Sequence, residues 1–193
     1  ALDVVMNVLE RGPVRYLVLV NDRRTYGDRF GKWKTFHEKG VAQTVTARIK
    51  AGGSTQVVYN VREHRRLETR REGEWLSFSA DLGPCDGTIL AVYPAQLAKI
   101  VFSCPKTVKR GEACPVAVKI LDAKGKSYGA QPLKIDLKDG NGESTAYSDY
   151  YATTDGTFHL RVLPALNDAA GVWKITVEEL TSGMTATASF VVK

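Results

Sequence analysis

Apolar and polar positions alternate with a period of two along most of this chain, in short runs separated by Gly, Asn, Asp and Ser. That pattern predicts β-strands with one buried side and one wet side. The clearest signal is the last third, from Ile100 to Lys193. Strands are expected near Ile100–Cys104, Pro115–Leu121, Leu133–Lys138, Tyr147–Thr153, Thr157–Val162, Gly171–Glu179 and Thr185–Val192. The connections DAKGKS, KDGNGES, TTDGT and LTSGM carry turn chemistry. TTDGTFHLRV reads as a hairpin, with Asp155 and Gly156 supplying the positive φ of a tight turn. Seven short strands in this space predict an immunoglobulin-like sandwich. Trp173 alternates with Ile175 and Val177 and reads as core filling.

The first half predicts a second all-β unit. Asp3–Leu9 and the run VRYLVLV, Val14–Val20, read as a hairpin across ERGP. A helix over DVVMNVLE competes, but Val4, Val5 and Val8 are β-branched and a turn follows at once. Val41–Ile49 alternates cleanly, with Val41, Gln43, Val45, Ala47 and Ile49 on one side. Further strands are expected over Gln56–Val61, Glu74–Ala80 and Thr88–Tyr93. In EWLSFSA, Trp75 faces opposite to Leu76 and Phe78. Arg62–Arg71, REHRRLETRR, reads either as an exposed helical turn or as an edge hairpin whose charges discourage strand-to-strand aggregation. Pro94–Lys99 is the expected linker. The predicted fold class is therefore all-β, with two tandem β-sandwich domains, 1–95 and 96–193, the second immunoglobulin-like.

Between the first strands lies NDRRTYGDRFGKWKTFHEKG, residues 21–40. A connection this long within a small β-domain packs over the open end of its sandwich, meets a neighbouring domain, or binds a ligand. For the ligand reading, Tyr26, Phe30 and Trp33 supply flat aromatic faces, and Arg24 and Lys34 supply hydrogen-bond donors for a polysaccharide.

Composition narrows the function classes. The chain has 193 residues, 44% of them hydrophobic, which is enough for two real cores. A net charge of +6 is spread over both halves and reads as a solvated surface, not a nucleic-acid footprint. No apolar run reaches the length of a membrane span. The opening ALDVVMNVLERG has neither an initiator Met nor signal-peptide features, which suggests a mature product or a piece of a longer chain. Cys104 and Cys114 flank a short step between two expected strands. They read either as a disulfide formed in an oxidising compartment or as two buried thiols. Cys85 has no nearby partner.

Catalytic patterns are not found. His37, His64 and His159 lie in separate segments without metal-ligand spacing. There is no G-x-S-x-G, phosphate loop or G-x-G-x-x-G. Glu178 and Glu179 are strand neighbours, so they point to opposite faces and cannot flank one glycosidic bond. DAKGKS and DGNGES lack the terminal bidentate Glu of a calcium loop. No catalytic residue, metal or cofactor is expected.

Residues 14–93 carry a wider pattern: VRYLVLVNDRRTYGDRFGKW, EKGVAQTVTARI, VVYNVREHRRL and WLSFSADLGPCDGTILAVYP. It resembles the β-sandwich domain that follows the catalytic barrel in large secreted bacterial glycoside hydrolases. YNV stands where that family has a YDL-like strand, and Cys85 where a small residue is common. The ending AGVWKITVEELTSGMTATASFVV, through Gly171, Trp173, Glu179, Leu180, Gly183 and Phe190, is similar to the immunoglobulin-like or macroglobulin-like modules that follow such domains. The resemblance implies a non-catalytic accessory pair within a larger extracellular or periplasmic protein, partnered by the rest of that polypeptide. A carbohydrate-binding module and a protein-interaction or adhesion module using an exposed sheet edge are the alternatives.

Overall fold

The computed structural model describes residues 3–25, 39–53 and 55–193. The chain is all-β and divides into two compact units, Ala1–Ala95 and Gln96–Lys193.

In the first unit the strands are β1 (Val4–Arg11), β2 (Val14–Asn21), β3 (Arg24–Thr25), β4 (Lys39–Gly40), β5 (Gln43–Lys50), β6 (Val57–Asn60), β7 (Arg65–Leu67), β8 (Arg70–Glu72), β9 (Trp75–Leu82) and β10 (Gly87–Tyr93). One sheet has the order β1-β2-β10-β6-β7 and another the order β5-β9-β8. They bury a shared core. Leu17 and Leu19 of β2 and Leu90 and Val92 of β10 pack in one cluster with Val45 and Ile49 of β5 and Leu76, Phe78 and Ala80 of β9. The alternation expected for β5 and β9 is observed, since Gln43, Val45, Ala47 and Ile49 turn inward with Leu76 and Phe78 while Trp75 turns out.

β1 and β2 form the expected hairpin, with Arg11 opposite Val14 across Gly12-Pro13. Gly12 has a φ of 56°, which a side chain would resist. The charged run 62–71 resolves into a turn followed by two edge strands. β7 closes the edge of the five-stranded sheet and β8 that of the three-stranded one. No helix forms there: Leu67 is buried on β7, while Arg66 points to the opposite face and Arg65 is exposed at the strand's start.

In the second unit the strands are β11 (Leu97–Ser103), β12 (Thr107–Val108), β13 (Cys114–Asp122), β14 (Pro132–Lys138), β15 (Asp149–Ala152), β16 (Thr157–Val162), β17 (Gly171–Glu179) and β18 (Met184–Val192). They make an immunoglobulin-like pair of sheets, β11-β13-β16 and β12-β18-β17-β14-β15. Val116, Val118 and Ile120 of β13, Leu133, Ile135 and Leu137 of β14, and Ile175 and Val177 of β17 are buried. Trp173 is 1% exposed and donates its indole N–H to the Ala169 carbonyl at 2.9 Å, so its only polar atom is satisfied inside the core.

Three expectations need correction. The linker does not run to Lys99. β11 begins at Leu97, which is buried and pairs with Asp122 next to an irregularity in register. Asp155 and Gly156 make the positive-φ turn, but β15 and β16 are not a hairpin. β15 pairs with β14 and β16 with β13, so the chain changes sheets here, with only the Thr154–Thr157 bridge joining the two sides of the turn. β12 was not anticipated. It is two residues long and parallel to β18, too short to leave an alternation in the sequence.

Candidate functional site

Of the five side chains expected to bind a glycan, Tyr26, Phe30, Trp33 and Lys34 lie outside the described residues, as does His37. Arg24 is exposed on β3, and its guanidinium pairs with Asp22, the Nε donating at 3.0 Å.

A different surface brings polar and aromatic groups together. Because Leu76, Phe78 and Ala80 turn inward, Trp75, Ser77, Ser79 and Asp81 stand on the outer side of β9. Their partners on β5 are Lys50, Arg48, Thr46 and Thr44, in that order, and on β8 Arg70 lies opposite Ser77 and Glu72 opposite Trp75. The Arg48 guanidinium lies over the Trp75 ring, 5.3 Å from its centroid. Trp75 is nevertheless 40% exposed, so part of the indole meets solvent. Thr44 donates its hydroxyl to Asp81 at 2.6 Å, Lys50 pairs with Glu74 at 3.2 Å and Arg70 with Glu72 at 3.2 Å. An open concavity of about 710 Å³ runs along this side, lined by Arg48, Arg65 and Arg70, by Glu68, Glu72 and Asp81, and by hydroxyls of Thr46, Ser77 and Ser79.

Chemically, the concavity offers donors and acceptors in balance over the apolar side chains of Leu67 and Phe78, and Arg48 links it to the flat amphipathic ring of Trp75, which does not line it. Such a set matches a polyol that has C–H faces and hydroxyl edges better than it matches a phosphate or another concentrated anion. The residues lie on paired strands, which hold their spacing. Sequence reasoning placed Trp75 on the polar side but gave it no role. The signal was a large aromatic at a position of the alternation where a polar residue is the rule.

The acids with shifted ionisation are engaged in turns. The Gly87 N–H and the Arg62 guanidinium hold the Asp86 carboxyl below its usual range, with Arg62 Nη1 2.7 Å from both carboxylate oxygens. Asp122 is lowered by the Tyr128 hydroxyl and the N–H groups of Lys126 and Lys124. Glu179 is fully buried and accepts from the Thr181 N–H at 3.0 Å, the Ser182 N–H at 2.8 Å and the Ser182 hydroxyl at 2.6 Å, closing the β17–β18 turn. Its neighbour Glu178 points to the other face, as expected. Asp139 caps its loop through the N–H groups of Asn141 and Glu143, both at 2.9 Å. His64 sits in a turn with φ 51°, and His159 is exposed on β16. Among the described residues no group of three or more His, Cys, Asp or Glu is placed to hold a metal ion.

Cys85, Cys104 and Cys114 are free thiols. Cys104 lines an open recess with His159 and Arg161, whereas Cys114 is buried. Burial, and then the neighbouring Cys104, push the Cys114 thiol up to about 11.

No family model and no curated protein matches the chain. Among solved structures it is similar to the crystal structure of red sea bream transglutaminase, at 11% identity and a TM-score of 0.36. The match covers 99% of this chain and 31% of that one, so the chain spans about a third of that protein's length.

Proposed function

We propose that this chain is a pair of non-catalytic accessory β-sandwiches that supports a larger secreted, carbohydrate-active bacterial protein, outside the cell or in the periplasm. The observation that carries this reading is how the acids are used. Shifted carboxyls mark active sites when they converge in a cleft; here Asp86 and Asp122 each tie down a separate turn. In an oxidising compartment Cys104, just after β11, and Cys114, the first residue of β13, are the two thiols that would pair; both are free here.

The test is a parent protein made with and without residues 1–193. Removal lowers the melting temperature of the parent and leaves kcat/KM on a small soluble substrate unchanged. A fall in kcat/KM at unchanged stability overturns the reading. So does hydrolysis of aryl-glycosides by the isolated chain that one carboxylate substitution abolishes.

A second reading, a carbohydrate-binding module, is favoured by the Trp75–Arg48 stack beside its hydroxyl-lined concavity. The ligand is then a neutral polysaccharide. Tryptophan fluorescence titrated with soluble glycans shifts in the native chain and not in Trp75→Ala. Equal titration of both proteins rejects this face.

A further inference from the structure

The strand β1 is an edge strand with an unusual distribution of side chains. Edge strands are normally blunted by lysine, proline or inward-pointing charge, because their unpaired N–H and C=O groups recruit other strands. β1 has none of these from Val4 to Leu9. Its charges, Glu10 and Arg11, sit at one end, with Asp3 just beyond the other. Between them Val5, Met6, Val8 and Leu9 are 59%, 51%, 42% and 55% exposed, so β1 is apolar and open on both faces.

The hydrogen-bond phase of this edge is determined. The Asp22 N–H donates to the Asp3 carbonyl at 2.9 Å, which turns the backbone groups of Asp3 and the odd residues toward β2. Val4, Met6, Val8 and Glu10 therefore aim their N–H and C=O groups away from the sheet. In keeping with this, the Val8 N–H is taken up by the side-chain oxygen of its own neighbour Asn7, at 2.9 Å, and not by another strand.

We propose that β1 is a self-complementary docking edge. Two copies of this chain pair there antiparallel, about a two-fold axis at Asn7, and join their five-stranded sheets into one. In this register Met6 lies opposite Val8 of the second copy, Val5 opposite Leu9, Val4 opposite Glu10 and Asp3 opposite Arg11. Every outward-facing residue then meets an outward-facing residue, giving roughly eight backbone hydrogen bonds between the copies. On one face the Val5–Leu9 pairs continue the apolar surface of Val20 and Ile89, which are 43% and 44% exposed. On the other, Met6 and Val8 cover each other. Opposite charges meet at both ends.

The neighbouring registers that keep this hydrogen-bond phase are worse. A shift of two residues one way sets Val5 against Arg11 and Met6 against Glu10. A shift the other way carries Glu10 and Arg11 past Asp3. Charge complementarity thus selects both the occupant and the register. This surface goes beyond the accessory role proposed above and does not depend on it, nor on the Trp75 face. A strand-to-strand contact is small for a protein interface, so dissociation near about 10 μM is expected.

Sedimentation equilibrium of the purified chain tests the proposal. At about 100 μM, roughly tenfold above that value, the dimer predominates. Val8→Pro removes an outward N–H that β2 does not use and weakens the dimer at least about tenfold. Arg11→Asp and Asp3→Arg each weaken it several-fold, by placing like charges opposite each other. The double variant Asp3→Arg/Arg11→Asp restores it. A chain still monomeric at about 300 μM overturns the proposal. So does a dimer indifferent to Val8→Pro when circular dichroism shows that variant folded, or a double variant no tighter than either single one. If Val8→Pro does not fold, the three charge variants decide the question by themselves.

Discussion

The Tyr128 hydroxyl donates to Asp122 Oδ2 at 2.5 Å, while Oδ1 of the same carboxylate accepts the N–H groups of Lys124 and Lys126, each at 2.8 Å. One carboxylate thereby closes the turn after β13 and anchors a buried aromatic ring. The tyrosine hydroxyl, the largest influence, and the two N–H groups hold Asp122 below the usual carboxylate range. Burial, followed by Asp122, pushes Tyr128 up to about 12.

The two shifts act at opposite ends of the pH scale. A lowered carboxyl stabilises the fold fully above its unfolded-state value, near about 3.9, and that contribution is lost as pH falls through the lower folded value. Asp122→Asn is therefore less stable than the native chain at pH 7, and the gap narrows below about pH 4. A raised tyrosine stabilises the fold below its unfolded-state value of about 10, and that is lost as pH rises toward the folded value. Tyr128→Phe loses several degrees of melting temperature at pH 7 and lacks this alkaline decline. Urea unfolding from pH 3 to pH 11 checks both signs. A gap for Asp122→Asn equal at pH 3 and pH 7 contradicts the first.

Gln131 is fully buried, and neither its side-chain nitrogen nor its side-chain oxygen has a hydrogen-bond partner among the described residues. Its backbone is satisfied, since its N–H donates to the Thr153 hydroxyl at 2.9 Å and its carbonyl accepts the Thr153 N–H at 2.9 Å. The amide thus carries a desolvation cost that an apolar group of similar shape avoids. Gln131→Leu stabilises the chain by roughly 1 kcal/mol. Chemical denaturation measures it, and a destabilised Gln131→Leu reveals an internal water bound to the amide.

Gly140 lies against the segment that leads into β17. A Cβ there would stand 2.2 Å from the Ala170 carbonyl oxygen and 2.8 Å from its carbon. Backbone atoms cannot swing aside as a side chain does. Gly140→Ala costs about 1–3 kcal/mol, as overpacking does elsewhere. A thermal shift of less than about a degree contradicts the close approach.

The thiols differ in reach. Cys85 is exposed, Cys104 half-buried and Cys114 buried, with both Cys104 and Cys114 raised by burial. In the reduced protein one equivalent reacts at once with a thiol reagent at pH 8, and Cys85→Ser abolishes that phase. Cys114 reacts only as the chain unfolds. A fast phase that survives Cys85→Ser places the reactive thiol elsewhere.

Much of the architecture is written in the order of residues. Period-two alternation identified the inward sides of β5, β9 and β17, and placed Trp173 in a core and Trp75 outside one. It does so because pleating sends successive side chains to opposite faces whatever the strand later pairs with. Pairing itself is a long-range choice. β15 and β16 carry a hairpin turn between them yet join different sheets, since β15 meets the preceding strand β14 and β16 meets β13, far away in the chain. For the same reason Leu97 was read as linker. Its neighbour Asp122 lies a full strand away.

The exposed surfaces show the same division. Alternation put Val5 and Met6 of β1 on opposite sides, but one side of a strand is a core only if something lies over it. In the folded unit five strands face three, and β1 stands at the end of the wider sheet with both sides open beyond Val4, which packs against the core. Local chemistry assigned each side chain a direction, including the outward one of Trp75, whereas the unequal widths of two packed sheets left β1 uncovered.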